Sequence, residues 1–164
     1  RKGTADWNQI RWLKSELGIP VIGNGDVQVA QDAIDLKEQT NCDAVMIGRA
    51  LTVRPWLMWQ IGEKLGLPAP EGKTGRAPTT PEEEGREYYA FALNMHRKMQ
   101  ERFKPLLAQK KFLFFIRTST AWLEFGHTLY AKVSKAKAPE EVEQMLHEFF
   151  ASEQRMMSRT EWRV

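Results

Sequence analysis

Two short stretches of the 164-residue chain hold residue types from which a binding site can be built. Gly23-Asn24-Gly25-Asp26 follows the apolar run Ile19 to Ile22, and Gly48-Arg49 follows Ala44 to Ile47. Glycine reaches positive φ at little cost and lets a ligand approach the backbone closely. Peptide N–H groups gathered at such a turn attract anions. Asn24 adds a directional donor and Asp26 an acceptor, while Arg49 brings a guanidinium suited to bidentate phosphate contact. The chemistry is therefore phosphate binding. Taken singly, the first stretch also reads as a plain tight turn and the second as a strand exit with a surface arginine. Their pairing, about one βα unit apart, is what favours a site.

A second group is cationic. Between Arg97 and Arg117 lie seven basic residues against a single acid, Glu101. Lys98 and Arg102 are four apart, and Lys110 and Arg117 seven apart, so both pairs fall on helical faces. Lys104 and Lys111 complete the set. Such a concentration points to an anionic partner or to an ordinary solvated face. No catalytic residue is assigned. His96, His127 and His147 show no metal-ligand spacing, and the one cysteine, Cys42, makes neither a disulfide nor a metal framework. No metal is expected.

The elements that must position these residues follow from periodicity. Asp6 is a plausible cap for a helix with Trp7, Ile10, Leu13 and Leu17 on one face. Pro20-Val21-Ile22 and Ala44 to Ile47 read as short strands, apolar on both faces. A helix capped by Asp26 lies between them, and a third helix spans roughly Pro55 to Leu65. Helix and strand alternate as in parallel βα units, and both glycine sites fall at strand C-terminal ends, where such folds bind ligands. Residues 66–80 are rich in proline and glycine and read as a linker. Thr80, Pro81 and Glu82 to Glu84 then open a helical half running to the C-terminus. The expected organisation is α/β over residues 1–65, a linker over 66–80, and an all-α unit over 81–164.

Composition sets the class. The chain is 42% hydrophobic and 27% charged, as in globular proteins. No apolar run is long enough for a membrane span. Net charge is +3, but residues 1–95 carry 11 basic and 13 acidic side chains, and residues 96–164 carry 13 and 8. The positive charge belongs to the helical half. A cytoplasmic monomer is expected. The abrupt opening, Arg1-Lys2-Gly3-Thr4-Ala5-Asp6-Trp7, reads as mid-loop, so the chain is expected to be part of something longer.

Ala5-Asp6-Trp7, the run Ile19 to Val27, and Val45 to Ala50 with Pro55-Trp56 together resemble the tRNA-dihydrouridine synthases. The resemblance is specific over residues 3–56 and looser over 81–150. It implies the last two βα units of a TIM (β/α)8 barrel that binds FMN, followed by a C-terminal helical bundle domain that grips tRNA. It implies that Asn24, Gly25 and Asp26 lie against the FMN, and that Gly48 and Arg49 hold its phosphate. Lys98, Arg102, Lys104, Lys110, Lys111 and Arg117 become candidate RNA contacts. Family members reduce uridine in tRNA to 5,6-dihydrouridine, with NADPH reducing the flavin and a cysteine on an earlier barrel loop giving a proton to the base. Cys42, between a helix end and a strand start, is not at that place. The isolated chain is accordingly expected to be inactive. Two other readings stay open: a portion of another FMN barrel oxidoreductase, and a non-enzymatic RNA-binding module.

Overall fold

The structure is a computed structural model that describes residues 4–161. The chain divides into two compact units, one ending at Ala77 and the other beginning at Pro78.

The first unit runs α1 (Trp7–Glu16), β1 (Ile22–Asn24), α2 (Ala30–Thr40), β2 (Ala44–Met46), α3 (Arg49–Val53) and α4 (Leu57–Lys64). β1 and β2 are parallel neighbours, with Ile22 opposite Ala44, Gly23 opposite Val45 and Asn24 opposite Met46. The first strand starts two residues later than the Pro20 the sequence favours. Pro20 has no N–H, and the Val21 N–H is taken by the Asp43 carboxylate at 2.6 Å, so ahead of Ile22 only the Val21 carbonyl joins the pairing, accepting the Asp43 N–H at 2.8 Å. One face of the pair is covered by α2: a Cβ on Gly23 would meet Cys42 Sγ at 2.9 Å and Leu36 Cδ2 at 3.0 Å. The other face is bare. Ile22 is 64% exposed and Met46 55% exposed, contrary to the expectation of strands apolar and buried on both sides.

Two other expectations need correction. Asp26 does not cap α2; Val29 is the cap residue, and Asp32 reaches back from the first turn to the N–H groups of Gln28 (2.9 Å) and Val29 (3.1 Å). The third helix, expected from Pro55, is α4 and starts at Leu57, and a short helix the sequence reading did not include, α3, precedes the turn at Arg54 and Pro55. The core of this unit is Leu36, Val53, Leu57, Trp56 and Trp59. None of it comes from α1, which buries no residue. α1 is instead held by polar contacts: Arg11 Nε donates to Gln39 O at 2.6 Å, and Lys14 pairs with Asp43 at 2.7 Å. That lysine, with the Val21 N–H, holds the Asp43 carboxyl below the usual carboxylate range. The proline-rich segment returns to its own unit at Ala77, which is fully buried and donates its N–H to Glu63 at 2.6 Å.

The second unit is helical: α5 (Pro81–Arg102), α6 (Pro105–Ser119), a single 3-10 turn (Thr120–Trp122), α7 (Gly126–Val133) and α8 (Pro139–Phe150). α5 opens as its sequence directs. Thr80 Oγ1 accepts from Glu83 N at 3.2 Å, and the Glu83 carboxylate accepts from Thr80 N at 3.1 Å. Pro105 then starts α6 after Phe103 and Lys104 turn the chain. The core is aromatic: Tyr88, Phe112, Phe115 and Phe149 with Ile116, Leu129 and Leu146. Tyr88 shares a 2.6 Å hydroxyl hydrogen bond with Ser119, and burial pushes its phenol pKa up. Beyond α8 an extended strap closes the unit. Met156 N donates to Pro81 O (3.0 Å), Glu124 N to Arg155 O (3.0 Å) and Met157 N to Trp122 O (2.8 Å). Met156 itself is 2% exposed.

Candidate functional site

The parallel pairing of β1 and β2 puts both glycine loops at the same end of the sheet. One contact joins them: Arg49 Nη2 lies 3.5 Å from Asp26 Oδ1. The other Asp26 oxygen, Oδ2, accepts the Ala5 N–H at 2.7 Å. Trp7 Nε1 donates to Gly25 O at 3.2 Å. The segment before α1 is thus clamped onto the first loop, and Asp26 bridges it to the second.

This clamp explains the residue types more fully than ligand approach does. Gly25 has φ 150°, and a Cβ there would overlap the Ala5 side chain and stand 3.4 Å from Trp7 Nε1. Asp26 has φ 51°, a left-handed conformation that aspartate tolerates better than most residues. Asn24 is the last residue of β1 and exposed, opposite Met46 on the bare face of the sheet. Gly48 has open space where a Cβ would stand, so a ligand can reach its backbone. Arg49 is 57% exposed in its side chain. Its weak 3.5 Å contact to Asp26 engages one of the five N–H donors a guanidinium carries.

The structure therefore brings Asp26, Gly48 and Arg49 together and gives them different parts. Arg49 supplies positive charge, Gly48 access, and Asp26 the fixing of Arg49. A carboxylate repels phosphate, so Asp26 suits positioning better than direct contact. The parts played by Ala5 and Trp7 were missed by spacing arguments. The available signal was a Trp following an N-cap residue just ahead of a helix, which periodicity assigns to the helix alone.

The six basic candidates are all exposed, but they are not equivalent. Lys98 is paired with Glu101 at 2.8 Å. Lys111 lies over the Phe103 ring at 4.8 Å. Arg102 ends α5, and Lys104 is the residue before Pro105. Lys110 and Arg117 share the outer face of α6 with Leu107 and with Phe114, which is 67% exposed. Arg97 on α5 is tied through one guanidinium edge, Nε and Nη2, to both oxygens of Glu143, at 2.9 and 2.7 Å, and that pairing holds the Glu143 carboxyl below its usual range. Interleaved cations and an exposed aromatic are a surface chemistry suited to nucleic acid. Among the described residues no group of three or more His, Cys, Asp or Glu side chains could hold a metal, and no helix is long and apolar enough to cross a membrane.

The sequence model of the dihydrouridine synthase (Dus) family matches residues 1–155. The chain belongs to this family. Similar Dus proteins include a probable tRNA-dihydrouridine synthase of Mycobacterium leprae, 47% identical over 74 residues, which are 44% of this chain and 19% of that protein. The tRNA-dihydrouridine synthase B of Xanthomonas campestris pv. campestris is 43% identical over 67 residues, 41% of this chain and 20% of the relative. The tRNA-dihydrouridine synthase B of Vibrio vulnificus is 31% identical over 131 residues, 79% of this chain and 39% of the relative. The Dus chain described here thus matches between about a fifth and two fifths of the length of these relatives.

Proposed function

We propose that this chain is the C-terminal portion of a flavin-dependent tRNA-dihydrouridine synthase, an oxidoreductase that reduces uridine in tRNA to 5,6-dihydrouridine. Residues 1–65 are the end of its FMN-binding (β/α)8 barrel, residues 66–80 a linker, and residues 81–164 a helical tRNA-binding bundle. The observation that carries this reading is the Asp26–Arg49 bridge between adjacent loops at the C-terminal ends of two parallel strands. That is where barrels bind phosphate groups.

The residues present fit the phosphate end of FMN. Arg49 and the Gly48 backbone would hold it, Asp26 would orient Arg49, and Asn24 would line the approach, while Gly25 lets the Ala5–Trp7 segment pack against the loop. When bound, FMN supplies the hydride for the uridine ring, and NADPH restores the reduced flavin. What this chain contributes is binding and orientation. The bare sheet face supports the barrel reading: Ile22 and Met46 on the strands, and Trp12 at 62% exposed on α1, are apolar surface of the kind further barrel elements bury. Cys42 is 1% exposed, packed at the start of β2, and cannot meet a substrate at the strands' far end. Proton donation is assigned, as the family resemblance implies, to a cysteine on an earlier barrel loop, and on this reading the chain alone is inactive. The exposed cations of α5 and α6 hold the RNA backbone.

Two measurements on the isolated chain test this. It is expected to bind tRNA in filter retention, with log affinity falling linearly in log salt. Replacing Lys110 or Arg117 by Ala should reduce that slope by about one, while Lys98→Ala, already paired with Glu101, changes it less. The chain should emerge without stoichiometric flavin absorbance. Salt-independent tRNA binding refutes the basic face as an interface; a yellow, flavin-loaded chain refutes the assignment of the remaining cofactor contacts to absent barrel elements.

A further inference from the structure

The helical unit holds a cavity of about 220 Å³ where the end of α5, the first half of α6 and the turn between α7 and α8 meet. Phe112 and Leu113 give it apolar walls, and its polar lining is His96, Gln100, Gln109 and Lys137. Gln109 uses its amide on the Ala136 carbonyl at 3.0 Å. His96 is different. It is 1% exposed, yet its Nδ1 has no hydrogen-bond partner. The Glu143 carboxylate is 3.7 Å from Nδ1, beyond hydrogen-bond range, and Glu143 is already held by Arg97. Nε2 has only a long 3.4 Å contact to the Gln100 amide nitrogen. Buried polar groups are normally satisfied, so a buried imidazole left short in a cavity wall marks a place where a ligand group belongs.

Size and polarity limit the occupant. A dry cavity of about 150 Å³ holds benzene, so this one takes one or two fused rings and not a sugar phosphate as well. The face of Phe112 is apolar. The imidazole and a primary amide offer donors and acceptors to a ring edge. Cations stand at and beside the rim: Lys137 lines it, exposed Lys104 precedes Pro105, and exposed Lys110 follows Gln109. Acids adjoin the lining too, but they are engaged: Glu141 accepts the Lys137 N–H at 2.8 Å, Glu143 is paired with Arg97, and Glu101 with Lys98. A slot for a flat heterocycle, a hydrogen-bonding edge, and cations outside it are the requirements of an unstacked base of single-stranded RNA.

We propose that this cavity takes one splayed-out nucleobase of the bound tRNA, its edge hydrogen-bonded to His96 and Gln100 and its backbone phosphates on Lys137 and Lys110. This rests on the reading of the helical unit as an RNA binder. It adds a base-reading site to a surface otherwise built for phosphate.

The test uses the full 164-residue chain. Uridine and adenosine 5′-monophosphates are titrated while the His96 imidazole and Gln100 amide signals are followed by NMR. Leu113→Trp, which fills the cavity, and Gln100→Leu, which removes the edge partner, are compared with the parent for binding of an unmodified tRNA transcript across a salt series. Leu113 and Gln100 are both partly exposed, and circular dichroism checks each fold. The expected result is a shift of His96 by at least one nucleotide, and a loss of tRNA affinity of about tenfold in both variants at unchanged salt slope, because no phosphate contact is lost. Parent-like tRNA affinity in the folded variants overturns the pocket while leaving RNA binding intact, and does so even if free nucleotide shifts His96. Failure of the parent to bind tRNA overturns the RNA reading itself.

Discussion

Replacing Gly85 by Ala sets local preference against tertiary packing. Gly85 is the fifth residue of α5, and in a helix interior Ala is favoured over Gly by about 0.8–1.0 kcal/mol. Local reasoning therefore expects a stabilised protein. The structure opposes this. A Cβ on Gly85 would overlap the Gln154 carbonyl oxygen and stand 2.9 Å from its carbon, both backbone atoms of the C-terminal strap. The strap is held by three backbone hydrogen bonds of 2.8–3.0 Å, none of which survives a displacement near 1 Å. Losing them costs about 0.5–1.5 kcal/mol each. Uncovering Met156 adds about 1.5–3 kcal/mol. Set against the helix gain, the net expectation is a loss of about 2–7 kcal/mol. The assay is urea unfolding of four proteins: parent, Gly85→Ala, Met156→Ala and the double variant. In the parent, Met156→Ala should cost at least about 2 kcal/mol; with the strap already displaced it should cost close to nothing. A Gly85→Ala protein more stable than its parent, with the Met156→Ala cost unchanged, would refute the reasoning.

Four further outcomes concern single residues. Phe125 is 70% exposed with φ 55°, a conformation that costs an ordinary L-residue about 1–2 kcal/mol, so Phe125→Asn should raise the unfolding free energy by about 1 kcal/mol, read as a higher urea midpoint at unchanged slope. Burial holds the His96 imidazole pKa below its ordinary value against the opposing pull of Glu143 and Glu140, with Arg97 adding to the depression. The unfolded chain therefore takes up a proton below about pH 6.5 that the native protein refuses, and stability should fall with pH there by at most about 1.4 kcal/mol per unit. His96→Phe should flatten that part of a pH series of melts, and an unchanged series would show that His96 is not its source. In the first unit, Asp26→Asn keeps an acceptor for Ala5 N–H and loses only a half-exposed ion pair, so it should change stability by less than about 1 kcal/mol. Gly25→Ala, forced against Ala5, should cost more than Asp26→Asn in the same melt.

Much of the local structure was legible because its causes are local. Thr80, Pro81 and Glu83 lie within four residues of one another, and they cap α5 as their types require. The parallel order of β1 and β2, and the placing of both glycine loops at one end of them, follow from alternating periods along the chain. The family resemblance rests on these same runs. What sequence could not supply were contacts between distant residues. Gly25 reads as an open door for a ligand, yet Ala5, twenty residues away, stands against it; Asp26 reads as a helix cap, yet it takes the Ala5 N–H while Asp32 does the capping. The strands read as doubly buried because their residues are apolar, but hydropathy states a preference for burial and cannot say whether a partner is there to satisfy it. His96 reads as an unremarkable packing histidine until three helices enclose it. Gly85 reads as a blemish in a helix until the strap from Gln154 crosses it. The sequence by itself determined which segments are helix or strand, where the two glycine loops fall, and which half carries the positive charge, since these depend on neighbours within a turn or two. Only the tertiary structure decided which glycines are steric necessities, which carboxylate orients Arg49, and which histidine is buried with one ring nitrogen lacking a hydrogen bond, since these depend on close approach between segments far apart in the chain.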